Sequence, residues 1–80
     1  MIVGNQGFDC VIKGFRIGRQ ARRPSWAEGV VLTYDAQEGQ IFLLGPEPWG
    51  MQVWNPGNDE QPTQVLSVDL MATDWEIYAL

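Results

Sequence analysis

The stretch Gly29-Val30-Val31-Leu32-Thr33-Tyr34, followed by Asp35-Ala36-Gln37-Glu38-Gly39 and then by Gln40-Ile41-Phe42-Leu43-Leu44, decides the fold. Its two flanks are rich in β-branched and aromatic residues, and the polar segment between them ends in glycine. That arrangement predicts a β-hairpin. Downstream, Gly45-Pro46-Glu47-Pro48-Trp49-Gly50 breaks the ladder and Met51-Gln52-Val53-Trp54 resumes it. Residues 55–62 then form a polar loop punctuated by Pro56 and Pro62. Leu66, Val68 and Leu70 alternate as in a strand. A last strand carries Trp75 and Ile77 on one face and Glu76 and Tyr78 on the other, the period of two that half-burial requires.

Upstream the period changes. Phe8, Val11, Ile12 and Phe15 fall at i, i+3, i+4 and i+7, which sets all four on one side of a helix over residues 6–17. Asn5 or Asp9 is its candidate cap or first-turn acid, and Gly18 stands where a left-handed residue ends it. Gly14 weakens this helix, so docking must hold it. The segment 20–26 is interrupted by Pro24, which suits an edge strand or a strand end rather than a central one. The sum is α+β: one amino-terminal helix packed on a four- to five-stranded antiparallel sheet, in a single domain spanning residues 1–80.

Ten acids, five bases and no histidine among 80 residues give a net charge of −5. All five bases, Lys13, Arg16, Arg19, Arg22 and Arg23, lie within eleven consecutive residues, and from Pro24 onward there are nine carboxylates and no base. Such a surface repels duplex nucleic acid, which needs a broad basic face, and it argues against a single-strand binder as well. A small, discrete anion fits the one basic segment. A domain of this size buries only about 60–65% of its unfolded surface, so help from a partner subunit is expected. The amino terminus shows no signal-like pattern, and no apolar run approaches the ~18 residues a bilayer span needs, which makes the cytoplasm the expected location.

Catalytic readings are poor. Without histidine, a general base near neutrality would have to be a carboxylate of raised pKa. Cys10 has no base nearby in sequence, cannot form an intrachain disulfide and reads as a small helix residue. No enzyme, metal or cofactor is expected. Four tryptophans are more informative: Trp75 in the last strand reads as core or interface filling, whereas Trp26 and Trp54 offer indole faces suited to a purine. Arg23 and Trp26, separated by two residues, converge only if the chain bends at Pro24. They then read either as a guanidinium grip beside a base platform or as a cation–π pair tying strand to helix.

The order Phe8-x-x-Val11-Ile12-x-x-Phe15-x-x-Gly18, Arg23-x-x-Trp26, Trp54-x-Pro56 and Asp69-x-x-Ala72-x-Asp74-Trp75-Glu76 resembles the phage Thoeris anti-defence type two family. The likeness runs from Phe8 to Ile77. It implies a non-enzymatic sponge that binds cyclic immune signals, glycocyclic ADP-ribose or a cyclic dinucleotide, without cleaving them, in the host cytoplasm. It also implies a homotetramer with pockets between subunits. Carried over by position, it implies Arg23, Trp26, Trp54, Asp69, Asp74 and Trp75 as ligand-binding residues. Side-chain chemistry then gives Trp26 and Trp54 to base stacking, Arg23 to phosphate and Asp69 to a ribose hydroxyl or base edge. The interval between Trp54 and Asp69 is longer here than the family's usual few residues. The alternative is an aromatic-rich protein-interaction or oligomerisation module with no nucleotide ligand.

Overall fold

The computed structural model describes residues 1–55, 60–63 and 67–78. Their elements run β1 (Ile2–Gln6), α1 (Phe8–Phe15), β2 (Gln20–Arg22), β3 (Val31–Asp35), β4 (Gln40–Leu44), β5 (Met51–Val53), α2 (Ser67–Leu70) and β6 (Trp75–Tyr78). Six strands form one antiparallel sheet in the order β1-β6-β2-β3-β4-β5, with α1 lying over β2 and β6. The α+β class is as expected, with six strands in place of four or five.

The hairpin holds the middle of the sheet. Leu32 pairs with Leu43 and Tyr34 with Ile41. The turn closes because Asp35 accepts from both ends of it: its Oδ1 from the Gln37 and Glu38 amides at 2.9 and 3.3 Å, its carbonyl from the Gly39 amide at 2.8 Å. Gly39 has φ +67°, a left-handed conformation open to glycine without penalty.

Helix α1 starts later and stops earlier than its periodicity suggests. Its N-cap is Gly7, with no side-chain cap bond, so Asn5 is not the cap and Asp9 serves as the first-turn acid. Gly18, at φ +80°, ends the turn that follows it. Val11 and Phe15 are buried, Phe8 is half-buried, and Ile12 is exposed at the margin of the stripe. Gly14 lies on the docked face, where a Cβ would come within 3.3 Å of Ile77 Cγ2. The residue that weakens the helix thus lets it sit close to β6.

Three expectations are corrected. β2 is not an edge strand but lies between β6 and β3; the other alternative, a strand end, holds, because the strand stops at Arg22 and Pro24 falls outside the ladder that needs its N–H. Ser67–Leu70 is a single helical turn rather than a strand, and Leu66 lies outside the described residues, as do Pro56–Asp59 of the polar loop. A strand also precedes the helix: β1 pairs with β6 through a bulge between Val3 and Gln6, in which Asn5 takes φ +56°.

The core comprises Val11 and Phe15 from α1 with Ala21, Trp26, Val30, Leu32, Leu43, Trp75 and Ile77. By register, the helix-side face of the sheet carries Ile77, Ala21, Leu32 and Leu43 in successive strands. The opposite face carries Val31, Phe42, Leu44, Met51 and Val53 across β3, β4 and β5.

Candidate functional site

β2 ends at Arg22 and the chain bends at once, with the Trp26 amide donating to the Arg23 carbonyl at 3.0 Å. This is the bend that the Arg23–Trp26 spacing requires. The Arg22 side chain ties the bend down, donating to the carbonyls of Pro24 (3.3 Å) and Trp26 (3.2 Å), while its Nε lies 3.4 Å from Glu76 across the β2–β6 pair.

Five of the six candidate residues meet there. Arg23 donates through Nε to Asp74 Oδ1 at 2.9 Å and through Nη2 to Asp74 Oδ2 at 3.1 Å, a bidentate pair, and through Nη1 to Asp69 Oδ1. Trp75 is fully enclosed, its ring between Phe8 (centroids 5.2 Å apart) and Trp26 (5.2 Å, edge-on at 82°). Its Nε1–H donates to the Asp69 carbonyl at 2.8 Å, an oxygen that also accepts from the Ala72 amide at 3.2 Å. α2 and the link 71–74 are therefore clamped to the end of β2, by a guanidinium on one side and an indole on the other.

The cluster is electrostatically self-sufficient. One guanidinium faces two carboxylates. Hydrogen bonding to Arg23, reinforced by its charge, holds the Asp74 carboxyl below the usual range, and the guanidinium pKa is raised in turn by Asp74 first and Asp69 second. Among the described residues the guanidinium faces these carboxylates rather than the Trp26 ring. An arriving phosphate would have to displace at least one of them. Trp26 is 7% exposed and Trp75 not at all, so neither ring face is open in this chain.

Trp54 stands apart. Its amide donates to Ile41 at 2.8 Å, which holds it beside β4, and two strand intervals of ~4.8 Å separate β4 from β2. The ring is half-buried against the core, and its Nε1–H is buried with no acceptor among the described residues. Gln61, itself 7% exposed, fastens the chain around it: its Nε2 donates to the Val53 carbonyl at 2.7 Å and its Oε1 accepts from the Asn55 amide at 3.3 Å.

Two open grooves flank α1, and none of the six ligand-binding candidates named from sequence lines either of them. One, of about 200 Å³, lies against β1 and β6, with Lys13 and Arg19 at its edge. The other, of about 260 Å³, lies against the hairpin, lined by Ile12, Phe15, Arg16, Tyr34 and Ile41, with Phe15 stacked on Tyr34. The only signal for either was the run of bases on the polar side of the helix. Among the described residues no three metal-ligating side chains converge, and no helix is long and apolar enough to cross a membrane. No protein-family model, curated protein or solved structure matches the chain.

Proposed function

We propose that this chain is a phage anti-defence sponge of the Thoeris type two kind, a homotetramer that binds a cyclic nucleotide signal in the host cytoplasm and holds it uncleaved. One observation carries the reading. Arg23, Trp26, Asp69, Asp74 and Trp75, scattered over 53 positions and named by the resemblance, converge on one cluster. Such convergence is what a shared architecture requires of its recurring residues. Sequestration needs no general base, and a chain without histidine has no ready one near neutral pH.

Within this reading the candidate residues divide. Arg23, Asp69, Asp74, Trp26 and Trp75 shape the domain that presents the ligand, and Trp54 contacts it through the exposed part of its half-buried ring. The sheet face that carries Val31, Phe42, Leu44, Met51 and Val53 supplies the surface for assembly, with Met51 66% and Val53 50% exposed. A tight ligand at ~100 times its dissociation constant adds about 2.7 kcal/mol, or roughly 10–20 °C for a domain of this size. A thermal-shift screen of cyclic ADP-ribose isomers and cyclic dinucleotides tests the proposal. The expected result is stabilisation by one of them, with the nucleotide recovered intact after heat denaturation. No shift, or recovery of a hydrolysed product, overturns it.

The apolar sheet face also favours the second reading, an oligomerisation or protein-interaction module with no nucleotide. It predicts a stable oligomer in light scattering whose melting temperature no nucleotide moves.

A further inference from the structure

Of the five bases, two are spoken for. Arg22 is held by Glu76 and the carbonyls of its own bend, and Arg23 by Asp69 and Asp74. Among the described residues Lys13 and Arg19 make no side-chain hydrogen bond or ion pair, and both border the groove between α1 and the β1–β6 edge. We propose that this groove is the anion site of the molecule, taking the pyrophosphate or phosphodiester of a small organic ligand between Lys13 and Arg19.

Three features carry the inference. The two cations are brought together by the chain itself. The Arg19 amide donates to the Gly14 carbonyl at 2.9 Å, folding residue 19 back onto the last turn of α1. A Cβ on Gly14 would sit 3.5 Å from Arg19 Cβ and 4.0 Å from its Cδ, so the arginine stem lies against Gly14, and Arg19 lines the same groove as Lys13. Part of the lining is apolar, from the buried Ile77 and the more exposed Val3 and Ile17, and apolar surface beside an ion contact strengthens it relative to open water. Among the described residues no carboxylate lines the groove. On a molecule of net charge −5, two cations that are unpaired among the described residues and share a groove with apolar side chains are where an anion is least repelled. At about 200 Å³ the groove is smaller than a typical drug-sized pocket, so it holds the phosphate-bearing part of a ligand and leaves the rest to neighbouring surface.

That the ligand is a nucleotide rests on the sponge reading; that the groove binds a phosphate anion rests on this geometry alone. Cys10, the only thiol, lines the groove and reports on it. Inorganic pyrophosphate at constant ionic strength should slow alkylation of Cys10 by iodoacetamide, about tenfold when pyrophosphate is at ten times its dissociation constant. Lys13→Gln/Arg19→Gln should abolish that protection, read in each variant as the ratio of its own rates without and with pyrophosphate, and should leave the melting temperature unchanged. Arg16→Gln, on the other groove, should keep it. No protection, or equal loss in both variants, overturns the proposal, the latter because it would mean diffuse charge only. The same variants separate the two ideas. Stabilisation by a cyclic nucleotide that survives Lys13→Gln/Arg19→Gln overturns this site and leaves the sponge. Pyrophosphate protection with no nucleotide stabilisation supports the site and overturns the sponge.

Discussion

Replacing Arg23 by alanine should cost the fold heavily, whatever it does to a ligand. The guanidinium makes three charge-assisted bonds, and its side chain is 19% accessible against 9% for Asp69 and 45% for Asp74. The Asp74 contacts are close to solvent, where screening leaves such pairs worth little. The weight falls on Asp69, whose carboxylate would be left enclosed without its cation. Stranding a charged group in that way costs upward of 1–3 kcal/mol, and breaking a fully buried pair 3–5 kcal/mol. A loss of about 3 kcal/mol follows for this partly sheltered site, equal to roughly 12–24 °C in melting temperature. Domains of this length have only about 4–12 kcal/mol in total. Urea denaturation followed by tryptophan fluorescence, with an unchanged slope, is the assay. Arg23→Ala combined with Asp69→Asn removes the stranded charge, and should recover about 1 kcal/mol or more of the loss. A single variant that loses less than about 1 kcal/mol, or a double variant no better than the single, would refute the view that Arg23 neutralises an enclosed carboxylate. A drop in nucleotide binding by Arg23→Ala is therefore no proof of contact unless the folded fraction is measured beside it.

Acid should act through the same cluster. Asp74 is held below its ordinary 3.8 by Arg23, so its contribution is present above about pH 4 and is lost as pH falls through the depressed value. Asp74→Asn should flatten that part of the stability–pH curve and lower stability at neutrality; an unchanged acid limb in pH-dependent denaturation would count against the pairing. Gly39→Ala, at φ +67° with open space around it, should cost about 1 kcal/mol by backbone strain alone, read as a lower urea midpoint. Trp54→Phe removes a buried N–H that has no acceptor among the described residues and should leave stability within about 0.5 kcal/mol while weakening any nucleotide that Trp54 contacts, measured by calorimetry. A large loss of stability there would mean that the indole has a structural partner.

What the linear sequence shows well is what depends on neighbours close in the chain. The α1 stripe, the Gly18 stop, the pairing of residues 31–35 with 40–44 and the inward Trp75 and Ile77 all follow from local period or local turn chemistry. β1 is hidden because Gly4 and Asn5 spoil its alternation, and it is a strand because β6 offers it an edge and a bulge absorbs Asn5. α2 is hidden for a different reason. Four residues are too few to tell a period of 3.6 from one of 2, and the turn is held from outside, by Arg23 on the Asp69 carboxylate and by Trp75 on its carbonyl. The role of Arg23 lies at separations of 46 and 51 residues, where spacing carries no signal. Its position beside Pro24 and Trp26 suggests a ligand grip, because the partners that occupy it are in another part of the chain.

The five bases crowd into eleven residues, yet the fold divides them by element. Arg22, the last residue of β2, and Arg23 after it meet carboxylates from β6, α2 and the link 71–74, so their charge is matched when the chain folds. Lys13 within α1 and Arg19 after it line a groove to which the described residues bring no carboxylate, so theirs is still unmatched among those residues afterwards. A matched charge contributes to folding free energy and has little left to offer a ligand, since binding must first break what folding made. An unmatched one contributes little to stability and gives its interaction energy to whatever anion arrives. The same residue type, a few positions apart, therefore does opposite work. The location of a ligand on this acidic molecule is thus set less by where the bases lie in sequence than by which of them the rest of the chain leaves uncompensated.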